Sequence, residues 1–249
     1  PYTQLCIREL MEEMFKTFPQ LDGLVIRTGE TYLHDAPYYV GNHPVQNGMH
    51  DHITLVNLLR KEVCERRNKK LFYRTWDMGQ LHSVPKYYLS VTDSIEPHPN
   101  LYFSIKHTMT DFWRSAIVNP DMNYSALDKY WLEESGQYGV PFNPCIGIGK
   151  HQQVVEVQCQ REYEGKGAHP NYIAKGVIGG FEEFKKPGIK NPYCLNQVKD
   201  NPLFKGIWTW SRGGGWGGPY IKNEFWVELN AYVLSLIHIS EPTRQAEIS

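Results

Sequence analysis

Three carboxylates and two cations follow short β-like runs of the sequence, each at the end of its run or shortly beyond it. These residues are Glu30, Arg74, Lys106, Asp111 and Glu162. Two carboxyl groups flanking a glycosidic bond are the minimum for its hydrolysis, because one donates a proton to the leaving oxygen and the other acts as base or nucleophile. An Arg and a Lys nearby would bind the carboxylate of an acidic sugar. The set therefore indicates hydrolysis of a glycoside that carries a uronic acid, and for each charged residue alone a salt bridge is the alternative.

Aromatic residues accompany these charged positions. Trp76, Tyr163, Trp210 and Trp216 would offer flat apolar faces on which sugar rings can lie. For any one of them, a place in the hydrophobic core is the alternative. We predict that Trp76, Tyr163 and Trp210 contact the substrate.

Five runs rich in β-branched and aromatic residues are predicted to be strands, and they alternate with helical patterns. The strand runs are 21–29, 70–76, 100–107, 153–160 and 205–211, and the helical segments are 6–18, 50–68, 172–186 and 221–233. Strands that alternate with helices predict a parallel sheet covered by helices, either doubly wound or a (β/α)₈ barrel. No G-x-G-x-x-G motif opens a helix, so the dinucleotide-binding form has no support. In a barrel all strand ends share one face, which would bring the charged residues together.

The fourth run, VVEVQCQRE (154–162), has one apolar and one polar face, because alternate side chains of a strand point to opposite sides. By the same alternation, Arg74 and Lys106 lie on the polar faces of their own strands. A charge inside a sheet costs several kcal/mol unless it is paired. We therefore predict Glu156 as a structural partner of Arg74 or Lys106, and Glu162, past the strand end, as a residue that reaches substrate. An ordinary solvated edge strand is the alternative for this run alone.

The composition favours one domain and argues against several classes of partner. The chain has 249 residues, 41% of them hydrophobic, which is enough for one sizeable core. The formal net charge is −1, with 26 Lys and Arg against 27 Asp and Glu, so neither nucleic acid nor an anionic membrane is expected as a partner. No apolar run reaches the roughly 18 residues that span a bilayer. The five cysteines show no C-x-x-C spacing, so no metal site and no disulfide framework are expected.

Two other motifs are predicted to be loops. In NHPVQNGMHDH (42–52) the histidines His43, His50 and His52 are expected in a loop, with Asp51 as N-cap of the helix that follows. WSRGGGWGGPY (210–220) lacks the Lys-Ser/Thr ending of a phosphate-binding loop, so its glycines indicate a flexible segment.

The last residues, from Leu234 to Ser249, are excluded from the fold prediction. LSLIHISEPTR in this segment resembles the in-frame translation of a transposon-end adapter used in sequencing libraries. We therefore predict a domain over residues 1–233 and a non-native tail over 234–249, with a natural amphipathic tail as the alternative.

Several segments, in order, resemble the α-glucuronidases of glycoside hydrolase family 67. IKHTMTDFW resembles the family's I-K-N-G-P-M-D-F, with Lys106 and Asp111 in register. VEVQCQREYEGKG resembles E-F-Q-I-T-Q-E-Y-x-G, with Glu162 in register. VIRTGE resembles the family's strand that ends in the catalytic acid, and LFYRTW its strand with a uronate-binding Arg.

This resemblance implies a fold, a reaction and a role for each residue. The chain would be the C-terminal part of a (β/α)₈ catalytic barrel, a TIM barrel, with its five strands as the fourth to eighth. Glu30 would be the general acid, Asp111 and Glu162 would activate water, and Arg74 and Lys106 would bind the sugar carboxylate. The reaction would release glucuronic acid, or its 4-O-methyl ether, from xylo-oligosaccharides with inversion and without a cofactor.

The match also has departures, which leave alternatives open. The family has a Lys four residues before the acid, where this chain has Ile26 and places its cation at Arg27 instead. One contact to the sugar carboxylate is therefore in question, and another uronic acid or linkage is an alternative. A retaining glycosidase that uses Glu30 and Glu162, and a non-catalytic carbohydrate-binding fragment, are further alternatives.

The family's first three barrel strands and its flanking domains have no counterpart in this chain. We therefore expect the chain alone to be poorly soluble and inactive, because an open part of a barrel exposes unpaired strand edges. For the full-length protein the resemblance implies a homodimer. The sequence does not indicate a compartment, and bacterial cytoplasm or periplasm is our expectation.

Overall fold

The computed structural model describes residues 2–28, 48–76, 81–82, 84–108, 142–158, 172–181, 194–210 and 225–236, without the side chains of Gln158 and Trp210. The strands are β1 (Gly23–Ile26), β2 (Lys70–Arg74), β3 (Leu101–Lys106), β4 (Gln152–Gln158) and β5 (Phe204–Trp210). The helices are α1 (Tyr2–Thr17), α2 (Met49–Leu59), α3 (Pro85–Thr92), α4 (Ala174–Gly179) and α5 (Phe225–Ser235). A π-helical turn, Arg60–Glu65, continues α2, and a 3₁₀ turn, Leu195–Gln197, precedes β5.

The five strands form one parallel sheet whose spatial order, β1-β2-β3-β4-β5, is the order of the chain. The prediction of a mixed α/β fold with a parallel sheet is confirmed, and every predicted strand run contains a strand. A doubly wound sheet reverses direction from its middle, so its strand order departs from the chain order. Each described strand is instead added on the same side of the one before it. Right-handed crossovers then place the connecting helices on one face of the sheet.

The two faces of this sheet differ in chemistry, as side-chain alternation predicts. On the face that packs against the helices, Tyr73, Phe103 and Val155 belong to the hydrophobic core together with residues of α2 and α3. The opposite face, which we call the polar face, carries Arg74, Ser104, Lys106 and Glu156. These four side chains are nonetheless buried, so the polar face is an interior surface.

A β-bulge in β5 decides which of its residues reach the polar face. Gln153 pairs with Phe204, but Val155 pairs with Ile207, so β5 has one residue more than β4 over this stretch. The extra residue falls around Gly206, whose φ of 142° is a conformation that side chains rarely adopt. Because a one-residue shift exchanges the two faces of a strand, the bulge brings Trp208 opposite Glu156.

Helix α2 begins earlier than the sequence predicts, and its cap is different. Its N-cap is Gly48, with φ 59°, so the prediction of Asp51 as N-cap is wrong, and Asp51 lies in the first turn. His50 and His52 are likewise helical and not loop residues. His52 is buried, and its Nδ1 lies 2.8 Å from the Tyr73 hydroxyl, which ties α2 to the centre of β2.

Two other helices differ from the sequence prediction in extent. Helix α3 was not predicted, because its eight residues are too few to establish a helical period, although Pro85 occupies a favourable position in its first turn. Helix α5 runs to Ser235, beyond the predicted boundary at 233, and Leu234 is completely buried in the core. The origin of 234–249 stays a prediction, and 237–249 lie outside the described residues.

The Glu62 carboxylate connects the π-helical turn to its surroundings. It lies 2.5 Å from Arg66 Nη1, 3.2 Å from Arg67 Nη1 and 3.6 Å from Arg8 Nε on α1. Burial acts to raise the pKa of Glu62, but hydrogen bonds from Arg67 and Arg66 outweigh it and hold the pKa below its usual value. The carboxylate therefore stays ionised and holds α1 near the turn.

The side chain of Gln153, on β4, fixes the segment that precedes the strand. Its Nε2 donates to the carbonyls of Cys145 and Ile148 at 3.1 and 3.0 Å, and lies 3.0 Å from the Tyr88 hydroxyl. Its Oε1 accepts the Gly147 N–H at 2.7 Å. This buried amide therefore replaces the hydrogen bonds that these backbone groups would otherwise make with water.

We expect Gln153→Leu to lower the free energy of unfolding by about 2–4 kcal/mol, because it leaves several buried backbone groups without partners. Gln152→Leu is the matched control, since this half-buried neighbour hydrogen-bonds only the carbonyls of His98 and Pro99. We expect it to cost less than about 1 kcal/mol. Urea unfolding measures both variants, and equal losses would contradict the role of Gln153.

Candidate functional site

The predicted site residues divide into two groups. Arg74, Trp76 and Lys106 are described with their side chains. Outside the described residues lie Glu30, Asp111, Glu162 and Tyr163, together with the side chain of Trp210. The described part of the site is therefore the part predicted to bind substrate, and the roles of the three carboxylates stay predictions.

Arg74 and Lys106 are the last residues of β2 and β3, and both lie on the polar face. The register pairs Arg74 with Ser104, two residues before Lys106 on β3, and pairs Lys106 with Glu156. The two cations are therefore offset by two residues along the strands, near the carboxyl ends of β2 and β3. They are 7% and 1% exposed, respectively. Two cations at this depth require compensation from their surroundings.

Glu156 supplies part of that compensation through a two-point contact with Arg74. Arg74 Nε donates to Oε2 at 2.9 Å, and Nη2 donates to Oε1 at 2.6 Å. The predicted pairing of Glu156 with one of the two cations is thus confirmed, for Arg74. The two residues belong to β2 and β4, so their side chains meet across β3, where Ser104 is small enough to let them pass.

Trp208 packs on the same guanidinium, and sequence reasoning did not single it out. Its ring centroid lies 5.5 Å from Arg74 Cζ, a cation–π distance. Its indole Nε1 donates to Ser104 Oγ at 2.7 Å, which fixes the ring across β4. The sequence did contain a signal for Trp208, because alternation within β5 places it on the same face as Trp210, which was predicted to contact the substrate.

Trp76 is the aromatic neighbour of Lys106. Lys106 Nζ lies 3.7 Å from the centroid of the Trp76 ring, and the indole is itself buried. His82 meets this ring edge-on, with centroids 4.7 Å apart. Trp76 therefore contacts both a cation and an imidazole, and its predicted contact with the substrate stays a prediction.

A small buried network orients His82. Its Nε2 lies 3.0 Å from the Thr108 carbonyl, which accepts a hydrogen bond from it, and its own carbonyl accepts a hydrogen bond from Asn143 Nδ2 at 2.8 Å. The Asn143 backbone N–H donates to the His107 carbonyl at 2.8 Å. Sequence reasoning missed His82 and Asn143, because each lies in a short segment without periodicity.

His107 follows Lys106 directly and is buried. Its backbone N–H donates to the Glu156 carbonyl at 2.9 Å, and its ring Nδ1 lies 3.4 Å from the same oxygen. Among the described residues, Nε2 has no hydrogen-bond partner. Burial lowers the pKa of the imidazole to about 4, so it is neutral near pH 7 and adds no charge beside Lys106.

The described polar face holds two cations, Arg74 and Lys106, and one carboxylate, Glu156. A lysine and a planar guanidinium suit the binding of a carboxylate. Glu156 is bonded to Arg74 through both oxygens, so it is not placed to exchange protons with a substrate. The arrangement is suited to binding an acidic ligand, and any acid or base chemistry must come from other residues.

No family model, no curated protein and no solved structure matches this chain. Within the described ranges, no group of three or more His, Cys, Asp or Glu side chains is arranged to hold a metal ion. None of the described helices has the length and apolar content needed to cross a bilayer.

We expect Arg74→Met to lower the free energy of unfolding by about 3–5 kcal/mol, because it leaves the Glu156 carboxylate buried without its guanidinium. Adding Glu156→Leu to that variant should recover most of the loss, since an apolar pair replaces an unpaired charge. Unfolding of the two single variants and the double variant in guanidinium chloride gives the coupling energy between the two side chains. Additive losses would show that the two side chains are not coupled.

The low pKa of His107 predicts a pH dependence of stability. Between about pH 6.5 and pH 4 the unfolded chain binds a proton at this position and the folded chain does not, so stability falls as the pH falls. Relative to His107→Asn, wild type should lose about 2–3 kcal/mol across this window. Urea unfolding at several pH values measures the difference. A gap that stays constant from pH 7 to pH 4 would contradict the prediction.

Proposed function

We propose that this chain is part of a glycoside hydrolase that removes α-linked glucuronic acid, or its 4-O-methyl ether, from xylo-oligosaccharides with inversion. One observation carries the proposal: Arg74 and Lys106 are buried side by side at the carboxyl ends of neighbouring parallel strands, each against a tryptophan ring. Strand ends of this kind are where parallel α/β folds place their ligands.

The two cations of the site fit a uronic acid. A sugar with one carboxylate would offer Arg74 and Lys106 a charged contact, whereas a neutral sugar would not. The aromatic rings supply apolar surface beside these charges, which suits a ligand that is part ring and part anion. Trp208 is half-buried, so its accessible surface would contact the sugar, and Trp76, which packs against Lys106, would contact it as well.

The proposed scaffold is a (β/α)₈ barrel of which this chain supplies five strands. Its support is the parallel sheet in chain order, because barrel strands succeed one another around the axis in the same way. In such a barrel the polar face would be the interior surface. Glu30 would act as general acid, Asp111 and Glu162 would activate the attacking water, and Tyr163 and Trp210 would contact the sugar.

A second candidate function is a carbohydrate-binding fragment without catalysis. It is favoured by the composition of the described polar face, which holds cations and aromatic rings but, among the described residues, only the one carboxylate of Glu156, engaged with Arg74. A retaining glycosidase using Glu30 and Glu162 is the third. Its carboxyl groups would be about 5–5.5 Å apart, against about 6.5–9.5 Å for inversion.

Binding to the 249-residue chain tests the acidic-sugar site. We expect D-glucuronate to quench tryptophan fluorescence and D-glucose to have little effect, because only glucuronate carries the carboxylate. Lys106→Met should weaken glucuronate binding about tenfold or more, since one charged contact is lost. Lys205→Met, at an exposed lysine of β5, is the matched control and should bind as wild type does. Equal responses to both sugars would contradict the proposal.

Hydrolysis is tested on this chain and on a longer product of the same gene that carries the three further strands. We expect the longer protein to cleave aldouronic acids, with β-glucuronic acid as the first anomer seen by proton NMR. Glu30→Gln should abolish turnover and leave binding intact. The α anomer first would favour the retaining mechanism, and binding without hydrolysis by either protein would favour the carbohydrate-binding fragment.

A further inference from the structure

We propose that Glu156 is a positioning residue, which sets the orientation in which the Arg74 guanidinium meets a sugar carboxylate. This inference rests on the proposed function, because it names a residue that acts on the ligand only through Arg74. Glu156 itself is completely buried, level with Lys106 and two residues before the end of β4.

The contact between Glu156 and Arg74 fixes the plane of the guanidinium and not only its distance from the carboxylate. Glu156 accepts from Nε and from Nη2, two atoms on one edge of the guanidinium, at 2.9 and 2.6 Å. A contact through this edge prevents rotation about the last bonds of the arginine side chain, and it does not involve Nη1. The plane of the guanidinium, and with it the direction of the Nη1 hydrogens, is therefore set by Glu156.

The backbone of Glu156 and the indole on the face of the Arg74 guanidinium are fixed as well. The Glu156 carbonyl accepts the His107 N–H at 2.9 Å, which locks the backbone of β4 to the segment after Lys106. The Trp208 ring lies 5.5 Å from Arg74 Cζ and is held by Ser104. Arg74 is thus held at its edge by a carboxylate and on its face by an indole whose own orientation is fixed.

A role in positioning and a role in charge balance predict opposite effects of Glu156→Gln. If Glu156 only balances charge, the substitution removes one negative charge beside Arg74, and an anion should bind more tightly. If Glu156 positions the guanidinium, the anion should bind less tightly, because a neutral amide can accept through only one atom. The sign of the change in affinity decides between the two roles.

Isothermal titration of the 249-residue chain with D-glucuronate and with the neutral D-glucuronamide makes this measurement. For Glu156→Gln we expect glucuronate affinity to fall about tenfold or more and glucuronamide affinity to stay within about twofold. Gln152→Ala, on the same face of the same strand but at its far end, is the control and should change neither. Unchanged or tighter glucuronate binding by Glu156→Gln would overturn the inference.

A second variant covers the case in which Glu156→Gln does not fold. Arg74→Lys keeps the positive charge beside Glu156 but removes the two-point edge, so it should lose glucuronate affinity to a similar extent and keep glucuronamide affinity. Glucuronate binding as strong as in wild type would overturn the inference. If wild type does not distinguish the two sugars, the proposed function fails and this inference with it. If wild type does and the variants keep that preference, only this inference fails.

Discussion

The burial of the Arg74 guanidinium in a sheet is the constraint on which the rest of the site depends. A charge at 7% exposure requires a partner of opposite sign, and the partner lies two strands and 82 residues away, at Glu156. The pair can form only if β3 lies between β2 and β4 in the observed register and carries a small residue at position 104. Strand order, register and the choice of Ser104 are thus tied to one ion pair. Such a pair contributes less to net stability than to the uniqueness of the arrangement, because desolvation offsets most of its attraction.

Much of the fold follows from local patterns in the sequence, and what does not follow has identifiable causes. The five strands were predictable because each is a short β-branched and aromatic run between turns, and a parallel sheet follows from their alternation with helices. Helix α3 has eight residues, too few for a period, and its first turn is marked only by Pro85. The N-cap of α2 is Gly48, which has a positive φ and no side chain that the sequence could identify as a cap. The nearby Asp51 was therefore predicted in its place. Chain order within the sheet depends on long-range pairing, which no local pattern contains.

The candidate site was predictable to the same extent and for the same reason. Alternation placed Arg74, Lys106 and Glu156 on one face, because the period of a strand is two and these strands are regular up to their ends. Trp208 was missed although it shares a face with Trp210, because only residues at or beyond the strand ends were considered as site residues. His82 and Asn143 were missed because each lies in a short segment without periodicity, and because their partners are backbone carbonyls, which any residue type can supply. The roles of Glu30, Asp111 and Glu162 stay predictions, because those residues lie outside the part of the chain that the structure describes.

The charge balance of the polar face connects its structure to its chemistry. Among the described residues, the polar face holds two cations and one carboxylate in a region of low exposure, where the electrostatic cost of a charge is greater than at the surface. Neutral His107 beside Lys106 avoids a further positive charge, and Trp76 and Trp208 lower the cost through their ring faces. The acidic sugar of the proposed function would place a carboxylate beside these cations, so its binding would stabilise the folded state by mass action. A neutral sugar of the same shape would lack that charged contact. Under the proposed function, selectivity for an acidic ligand would follow from how the sheet buries Arg74 and Lys106.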